Sequence, residues 1–372
     1  MAKHTPTLRV EQLERLLREQ GFHRIAAVSS RGLPAHLSRH PAIAALGEGT
    51  FVLAALSCHR EEPDDPSAPG DPHALIAPFA RRNYYAEAVA RMKKVVRALS
   101  AAYGLSKREV RIFCNSRLPE KSLAVASGLG SFGKNTLILI PGLGSLFVIA
   151  GLFVPVPVRG RFSQAAEGAA ASLGSSVSRS GKPAGSTAGA ARPRPDDRAE
   201  ADDRFPLCGS CRICQDACPV GALQQAGRLD ESRCLQALCT RLESFSPAFR
   251  RAWSVRLYGC QSCQEVCPHN RGLALQTSTG RGELGAGLSL KHLLALSADQ
   301  VKERVRGSAL DRSWIPARAL LRNALLAAGN RRDPALLDSV HRLCADADPL
   351  VAAAAAWAEG RISAALQGSG CD

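Results

Sequence analysis

Three features are scarce in this sequence, and the first is long apolar runs. Although 45% of its 372 residues are hydrophobic, no stretch has the length and apolarity of a transmembrane helix. The start, Met1–His4, leads into a polar helical pattern and does not resemble a signal peptide. We therefore expect more than one domain, no export signal and no membrane partner.

Acidic residues are also scarce. Asp and Glu number 33 against 48 Lys and Arg, which leaves a net charge of +15. This balance is unusual for a simple electron carrier and favours a polyanionic partner, nucleic acid first. The alternative is that arginine is abundant for compositional reasons alone.

Aliphatic side chains are scarce in one segment, residues 159–204. Ala, Ser, Gly, Arg and Pro dominate there, and Leu173 and Val177 are almost the only aliphatic residues beyond Ala. Such a segment cannot bury enough apolar surface to offset the entropy of ordering it. We predict a disordered linker or insertion.

Cysteine, in contrast, is abundant and clustered. Residues 208–219 read C-x2-C-x2-C-x3-C-P, residues 260–268 read C-x2-C-x3-C-P, and Cys234 lies between them. Three thiolates at this spacing wrap one cubane cluster, while the cysteine before the proline reaches a second one. The spacing therefore predicts two [4Fe–4S] clusters.

The cluster ligands are predicted to pair across the two motifs. Each cluster needs four thiolates, and the short spacings supply three at a time. The predicted sets are Cys208, Cys211, Cys214 and Cys267 for one cluster and Cys218, Cys234, Cys260 and Cys263 for the other. Oxygen-sensitive clusters without an export signal predict a cytoplasmic location.

A zinc module and a disulfide framework are the alternatives for these cysteines. Zinc modules use separated C-x2-C pairs, and cysteines this close in sequence seldom pair with each other, so both fit less well. Most of the other cysteines are predicted to be small buried hydrophobes. They are Cys58, Cys114, Cys239, Cys344 and Cys371.

Apolar periodicity organises the rest of the chain. Strand-like and helical segments alternate over residues 1–158, which predicts an α/β (α+β) domain. Residues 205–272 are predicted to form a ferredoxin-like double-cluster domain. Residues 285–368 show short helices with apolar faces, the first stopped by Gly329-Asn330, and predict a HEAT-like repeat.

A glycine-rich turn follows the last helical segment of the N-terminal domain. Gly128, Gly130 and Gly133 allow the backbone to approach a bulky ligand, and the polar Lys134 and Asn135 follow. The Gly-x-Gly-x-x-Gly pattern matches a dinucleotide fingerprint, but it follows a helix and precedes a strand, the reverse of the Rossmann order. NAD is therefore not expected.

Together these pieces resemble the epoxyqueuosine reductase family over nearly the whole chain. The matching pieces are the glycine-lysine-asparagine stretch, Ser232-Arg233-Cys234, the run YGCQSCQEVCPHN at 258–270, and the run from Leu321 to Asn330. Many ferredoxin-like proteins share the cluster motif alone, whereas the combination is specific.

The resemblance implies cofactors, partners and a reaction. It implies an N-terminal cobalamin-binding domain beside the two clusters, with Gly128, Gly130, Gly133, Lys134 and Asn135 at the cobalamin. It implies reduction of epoxyqueuosine to queuosine in tRNA by the cobalt, with the clusters supplying electrons from an external donor such as ferredoxin or flavodoxin. A monomer is expected.

The helical tail and the basic surface are then expected to bind tRNA. A dense basic run in the C-terminal helices is predicted to contact phosphates. It comprises Arg304, Arg306, Arg312, Arg318, Arg322, Arg331 and Arg332.

Two positions depart from the family pattern. Its Asp-Tyr-His triplet aligns with Asn83-Tyr84-Tyr85, so Tyr85 is expected beside the cofactor, and its proton-donating Asp aligns with Cys114. A thiol can donate a proton, and it is also a soft ligand for cobalt. The resemblance therefore predicts Cys114 as the catalytic residue, and packing of a buried strand cysteine is the alternative.

Two other functions stay open at this point. A cobalamin and iron–sulfur paralogue could reduce a different substrate, such as a small molecule or the corrinoid of a partner protein. A ferredoxin-like electron carrier is the other alternative. A plain carrier has no need of the N-terminal domain, which counts against it.

Overall fold

A computed structural model describes residues 7–59, 65–106, 108–160, 162, 204–273 and 279–368 of the chain. Most of the predicted linker at 159–204 lies outside the described residues, as does Cys371. Within the described residues the chain forms a mixed α/β fold with eleven strands and fifteen α-helices. None of the helices described has the length and apolarity needed to cross a membrane.

The strands and helices follow one another in mixed order along the chain. The strands are β1 (Leu8–Arg9), β2 (Arg24–Ser29), β3 (Thr50–Ser57), β4 (His73–Ile76), β5 (Arg111–Phe113), β6 (Ser131–Phe132), β7 (Ile138–Leu139), β8 (Phe147–Val154), β9 (Val158–Arg159), β10 (Arg256–Tyr258) and β11 (Gly287–Ser289). The first helices are α1 (Val10–Glu19), α2 (Ala35–Ser38), α3 (Pro41–Ala44), α4 (Pro78–Arg81), α5 (Tyr84–Tyr103) and α6 (Glu120–Ala126). The later helices are α7 (Ile213–Asp216), α8 (Leu235–Leu238), α9 (Pro247–Ala252), α10 (Ser262–Glu265), α11 (Leu290–Leu294), α12 (Ala298–Arg304), α13 (Ala317–Arg331), α14 (Leu337–Leu343) and α15 (Pro349–Gly368).

A four-stranded antiparallel sheet is the centre of the N-terminal half. Its order is β2–β3–β8–β5, and every residue of β3 is buried. Val52 and Ala54 of β3 pack into the core on one face of the sheet, and Phe51 and Leu53 pack into the core on the other. A strand buried on both faces is apolar throughout, which explains the unbroken apolar run of this segment.

Helices cover both faces of this sheet. α1 and α5 lie on one face, and α6 with the β6–β7 hairpin lies on the other. α5 begins after Asn83, whose side chain accepts a hydrogen bond from the Ala86 N–H at 3.1 Å. It ends at Gly104, which takes the left-handed conformation expected of a glycine at that place.

A second, three-stranded sheet joins distant parts of the chain. β4, from the N-terminal half, is its central strand, with β10 parallel on one side and β11 antiparallel on the other. β10 immediately precedes the second cysteine motif, and β11 immediately precedes the C-terminal helices. Backbone hydrogen bonds through β4 therefore fix the cysteine segment and the helices against the N-terminal half.

The C-terminal helices pack around α13, which contacts α11, α12 and α15, while α14 packs against α15 and α11. The prediction that Gly329-Asn330 stops this helix is wrong, because α13 continues to Arg331 and ends where Arg332 adopts a left-handed backbone with φ 55°. Gly329 is required for packing instead. A Cβ atom at this position would lie 2.6 Å from the Trp357 ring.

Candidate functional site

The two cysteine motifs fold as a local repeat. α7 carries Cys214, α10 carries Cys263, and the two short helices contact each other. Each helix is followed by a Cys-Pro pair, Cys218-Pro219 in the first motif and Cys267-Pro268 in the second. The repeat sets the two motifs side by side, so that the last cysteine of each can turn toward the other motif.

The eight sulfurs form two groups in space. The thiols of Cys208, Cys211 and Cys267 raise the pKa of the Cys214 thiol. The pKa of the Cys263 thiol is raised by Cys218, Cys234 and Cys260, and also by Cys214. The first cysteine group is Cys208, Cys211, Cys214 and Cys267, and the second cysteine group is Cys218, Cys234, Cys260 and Cys263.

The electrostatics of these groups fit a cationic, thiolate-liganded centre. Burial, with a smaller contribution from the neighbouring sulfurs, raises the pKa of the Cys263 thiol to about 12 and that of Cys214 to about 11. Four thiolates this close repel each other, so an iron centre that displaces their protons would stabilise the arrangement. Of the described residues, no three His, Cys, Asp or Glu have the geometry that holds a single metal ion.

Cys239 lies close to Cys234 in sequence but has a different environment. It is fully buried, its sulfur donates a hydrogen bond to the Leu235 carbonyl at 3.1 Å, and it accepts one from the Gly259 N–H at 3.2 Å. Burial raises the pKa of this thiol to about 12. Of the predicted buried cysteines outside the motifs, Cys58 and Cys239 are buried, whereas Cys114 and Cys344 are half-buried.

A cavity of about 400 Å³ lies between the N-terminal sheet and the cysteine segment. All four members of the second cysteine group line this central cavity, together with Tyr85, Asn135 and Ile149. Its walls are mainly apolar, and Glu120 and Lys121 add charged groups. Concave, apolar sites with a few polar groups of this size are typical of cofactor binding. Apolar walls with a few amide and charged side chains fit the face of a ring system that carries polar substituents, beside the second cysteine group.

Tyr85 is the link between this cavity and Cys114. Burial raises the pKa of the Tyr85 phenol, and the nearby Cys58 and Cys114 thiols raise it further. Burial likewise raises the pKa of Cys114 to about 12, where Glu120 adds to the shift and Arg312 opposes it. Cys114 is thus a neutral thiol near physiological pH, and Asn115, its neighbour in sequence, lines the central cavity.

Glu120 is a cavity residue that the sequence did not single out. Its carboxylate accepts hydrogen bonds from the Asn115 N–H at 2.9 Å and the Ser116 N–H at 2.7 Å. These bonds close the loop between β5 and α6, where Asn115 adopts a left-handed backbone with φ 51°. The sequence signal was the position of Glu120 in the first turn of a helix, which is typical of N-terminal capping.

The residues of the glycine-rich turn lie in different surroundings. Asn135 lines the central cavity, whereas Gly128 lines a separate cavity of about 620 Å³. Gly130 and Gly133 pack against β7, because a Cβ atom at either would lie within about 3 Å of its residues. Lys134 points to the cysteine segment and donates a hydrogen bond to the Gly209 carbonyl at 2.6 Å.

The arginines predicted to contact phosphates differ in accessibility, and the prediction is wrong for Arg322. This side chain is 1% exposed and donates hydrogen bonds to the Glu243 and Leu238 carbonyls at 2.7 and 3.2 Å. Arg331 pairs with Asp65 at 2.6 Å. Arg304 and Arg332 are exposed. Burial of Arg322 follows from aromatic partners distant in sequence, since its guanidinium lies 4.4 Å from the Phe245 ring.

The cysteine segment matches a known family model. Residues 207–270 match the 4Fe-4S double cluster binding domain. The match includes both motifs and Cys234, the isolated cysteine between them. The fold and this segment together define an iron–sulfur protein of mixed α/β fold.

Curated relatives narrow this class. The chain is 31% identical to the epoxyqueuosine reductase of Bacillus subtilis over 252 residues, which cover 66% of this chain and 53% of that protein. It is 31% identical to that of Burkholderia pseudomallei over 267 residues, 70% of this chain and 56% of the relative. A Geobacillus stearothermophilus protein named "uncharacterized protein in gldA 3'region" is 39% identical over 159 residues, 42% of this chain and 72% of the relative. The chain belongs to the epoxyqueuosine reductase family.

Solved structures agree in fold. A structure of Bacillus subtilis epoxyqueuosine reductase, with its catalytic loop swung out of the active site, has a TM-score of 0.72 at 23% identity and covers 95% of this chain and 90% of its own. An epoxyqueuosine reductase bound to an epoxyqueuosine-modified tyrosine tRNA stem-loop has a TM-score of 0.71 at 23% identity, with 95% and 89% covered. The sequence alignments nevertheless span only about half the length of the curated epoxyqueuosine reductases.

Proposed function

We propose that this chain reduces epoxyqueuosine to queuosine in tRNA, with two [4Fe–4S] clusters and a cobalamin. One observation carries the proposal: the four sulfurs of the second cysteine group line the same cavity as Tyr85 and Asn135 of the N-terminal half. An electron held at that group is therefore already at the wall of the cavity where a substrate would react. Family membership supplies the substrate class, because the named relatives are epoxyqueuosine reductases.

Each proposed domain then has one task. Residues 1–158 would bind cobalamin, residues 205–272 would bind the clusters through the two cysteine groups, and residues 285–368 would form a HEAT-like surface for tRNA. Residues 159–204 would link the first two. We propose a cytoplasmic monomer that takes electrons from an external donor such as ferredoxin or flavodoxin.

The reaction sets the chemistry that the cavity must supply. Conversion of an epoxide to an alkene consumes two electrons and two protons and releases one water. When bound, cobalamin supplies a cobalt centre that acts as the reductant at the substrate. Tyr85 and Asn135 line the cavity that would hold it, and the apolar walls would exclude water from the reacting carbon atoms.

Cys114 is the proposed source of a proton. Its raised pKa of about 12 keeps the thiol protonated at neutral pH, so that it is available as a donor and not as a thiolate. Glu120 holds the loop that follows Cys114 by accepting the Asn115 and Ser116 N–H groups. The carboxylate would therefore position this loop against the cavity.

A reconstituted assay tests the proposal. The full chain, purified anaerobically with clusters and cobalamin, is reduced and mixed with a stem-loop RNA that carries epoxyqueuosine. Mass spectrometry of the digested RNA should detect queuosine, and Cys263→Ser, which removes a ligand of the second cluster, should not produce it. Protein that retains both clusters and cobalamin but leaves epoxyqueuosine unchanged would contradict the proposed substrate.

A further inference from the structure

The most exposed large apolar side chain among the described residues is that of Trp314, at 57% exposure. Its neighbour Ile315 is 1% exposed, and the Ile315 N–H donates a hydrogen bond to the Arg312 carbonyl at 3.1 Å. Trp314 therefore stands out from an anchored turn and not from a free end. An exposed indole offers a large flat apolar area, with a polar N–H at its edge, that a binding partner can cover.

One face of the Trp314 ring lies against a cation. The Arg312 guanidinium carbon is 5.9 Å from the ring centroid, within the range of a cation–π contact. The same guanidinium donates a hydrogen bond to the Asn83 side chain at 3.3 Å. At 57% exposure the ring offers a flat apolar surface with a positive charge beside it.

Arg312 also connects this surface to the central cavity. Its guanidinium donates to Asn83, two residues before Tyr85, which lines the cavity, and its charge also lowers the pKa of the Cys114 thiol. Asn115 and Glu120, in the loop and helix that follow Cys114, line the cavity. Trp314 is thus connected, through Arg312 and Asn83, to the start of the helix that carries Tyr85 to the cavity wall.

The surroundings favour an anionic occupant. The chain carries a net charge of +15, and the exposed Arg304 lies at the end of α12. α12 is tied to the Trp314 turn, because the Lys302 ammonium donates a hydrogen bond to the Arg312 carbonyl at 2.9 Å. Single-stranded nucleic acid is bound by such a combination, with bases stacked on aromatic rings and phosphates near arginines.

We propose that Trp314 and Arg312 form a stacking platform for an unpaired nucleobase adjacent to the one that enters the central cavity. The proposal rests on the proposed tRNA substrate and adds a recognition residue to it. The exposed face of Trp314 stacks on the base, and Arg312 holds the ring in place from the other side. Because every base has a π-face, this contact recognises an open loop and not a particular sequence.

Tryptophan fluorescence provides a direct test, since the chain has three tryptophans. Trp253 is fully buried and Trp357 is half-buried beneath Arg250 and Arg361, so Trp314 is the one that an RNA base can stack on directly. The full chain with its clusters is titrated with an RNA stem-loop of the tyrosine tRNA anticodon arm and with a fully paired duplex of equal length. The difference between wild type and Trp314→Phe isolates the Trp314 signal.

We expect the stem-loop to quench Trp314 and Trp314→Ala to bind it about tenfold to a hundredfold more weakly. Trp314→Phe should retain most of the affinity, and the exposed-residue control Leu366→Ala should bind as wild type does. Duplex binding should be nearly the same in all four proteins. Cluster absorbance verifies that each variant is folded.

Three results would overturn the platform. If wild type binds the stem-loop without quenching and Trp314→Ala binds equally well, stacking is wrong while the proposed tRNA substrate stands. If Trp314→Phe is as weak as Trp314→Ala, an aromatic face is not what matters. If wild type with intact clusters binds neither RNA, both the platform and the proposed function fail, and a protein partner for this surface becomes the alternative.

Discussion

The Lys134 ammonium donates a hydrogen bond of 2.6 Å to the carbonyl of Gly209, between Cys208 and Cys211 of the first cysteine group. The Lys134 carbonyl in turn accepts a hydrogen bond from the Gly227 N–H at 2.9 Å. The glycine-rich turn of the N-terminal half therefore holds the loop that surrounds the first cysteine group. Lys134, which the family resemblance predicts at the cobalamin, thus contacts the cysteine segment.

Loss of this contact should weaken retention of the first cluster. Lys134→Met removes a charge-assisted hydrogen bond to a backbone carbonyl, and we expect one of two clusters to release iron to a chelator roughly tenfold faster. Lys93→Met, at an exposed position on α5, is the matched control. Equal release rates in the two variants would show that the contact does not support the cluster.

Cys234 and Cys239 should behave differently on substitution. Anaerobic iron and sulfide analysis should find about eight of each per chain, and about four in Cys234→Ser, which loses the second cluster. Cys239→Ser should keep about eight, because the hydroxyl can still donate to the Leu235 carbonyl and accept from the Gly259 N–H. About four iron atoms in the unmodified chain, or stoichiometric zinc, would rule out two cubanes.

Cys114 should be required for turnover but not for cofactor binding. Removing a proton donor costs about 10²- to 10⁴-fold, and Cys114→Ala should lose activity by that order while both clusters and cobalamin remain bound. Cys344→Ser, in the C-terminal helices, serves as the thiol control. Full wild-type turnover in Cys114→Ala would leave Cys114 as a packing residue at the end of β5.

The pH profile distinguishes the thiol from a carboxyl at the same place. A donor works while it is protonated, which is below its pKa, and the pKa of Cys114 is about 12. Wild-type turnover should therefore lose no donor between pH 6 and 9. Cys114→Asp introduces an acid with an ordinary pKa of about 3.9. Its activity should fall as pH rises through the pKa of the new carboxyl, and a profile identical to wild type would contradict the assignment.

Arg322 should matter for stability and not for RNA. Its guanidinium lies 4.4 Å from Phe245 and 5.3 Å from Trp253, and its replacement by Met leaves the buried Leu238 carbonyl and the part-buried Glu243 carbonyl without this donor. Arg322→Met should lower the apparent melting temperature by roughly 3–5 °C, as expected for a loss of a few kcal/mol in a chain of this size. Arg318→Met, at an exposed residue, should change it by much less. A loss of RNA affinity in Arg322→Met without a loss of stability would contradict this role.

The sequence was most informative where chemistry depends on short spacing. The cysteine motifs predicted an iron–sulfur segment because their sulfurs are brought together by turns of a few residues, and the family match confirms that segment. The α/β character of the N-terminal half was likewise visible in strand and helix periodicity.

The central cavity could not be predicted, because residues distant in sequence form it. Tyr85, Ile149 and Cys263 meet there only through the pairing of β4 with β10 and the stacking of the sheet on the cysteine segment. The prediction that Arg322 lies at the surface was wrong for the same reason, because the residues that bury it are distant in sequence. A charge in sequence gives no sign that a stacked Phe245–Trp253 pair will cover it.

The central claim is that this chain reduces epoxyqueuosine in tRNA. The most direct measurement is the ratio of queuosine to epoxyqueuosine in tRNA from a bacterial strain that lacks its own epoxyqueuosine reductase and expresses this chain. Mass spectrometry should show queuosine restored by the wild-type chain and epoxyqueuosine retained with Cys263→Ser. Epoxyqueuosine alone in cells that contain the wild-type chain with both clusters and cobalamin would contradict the claim.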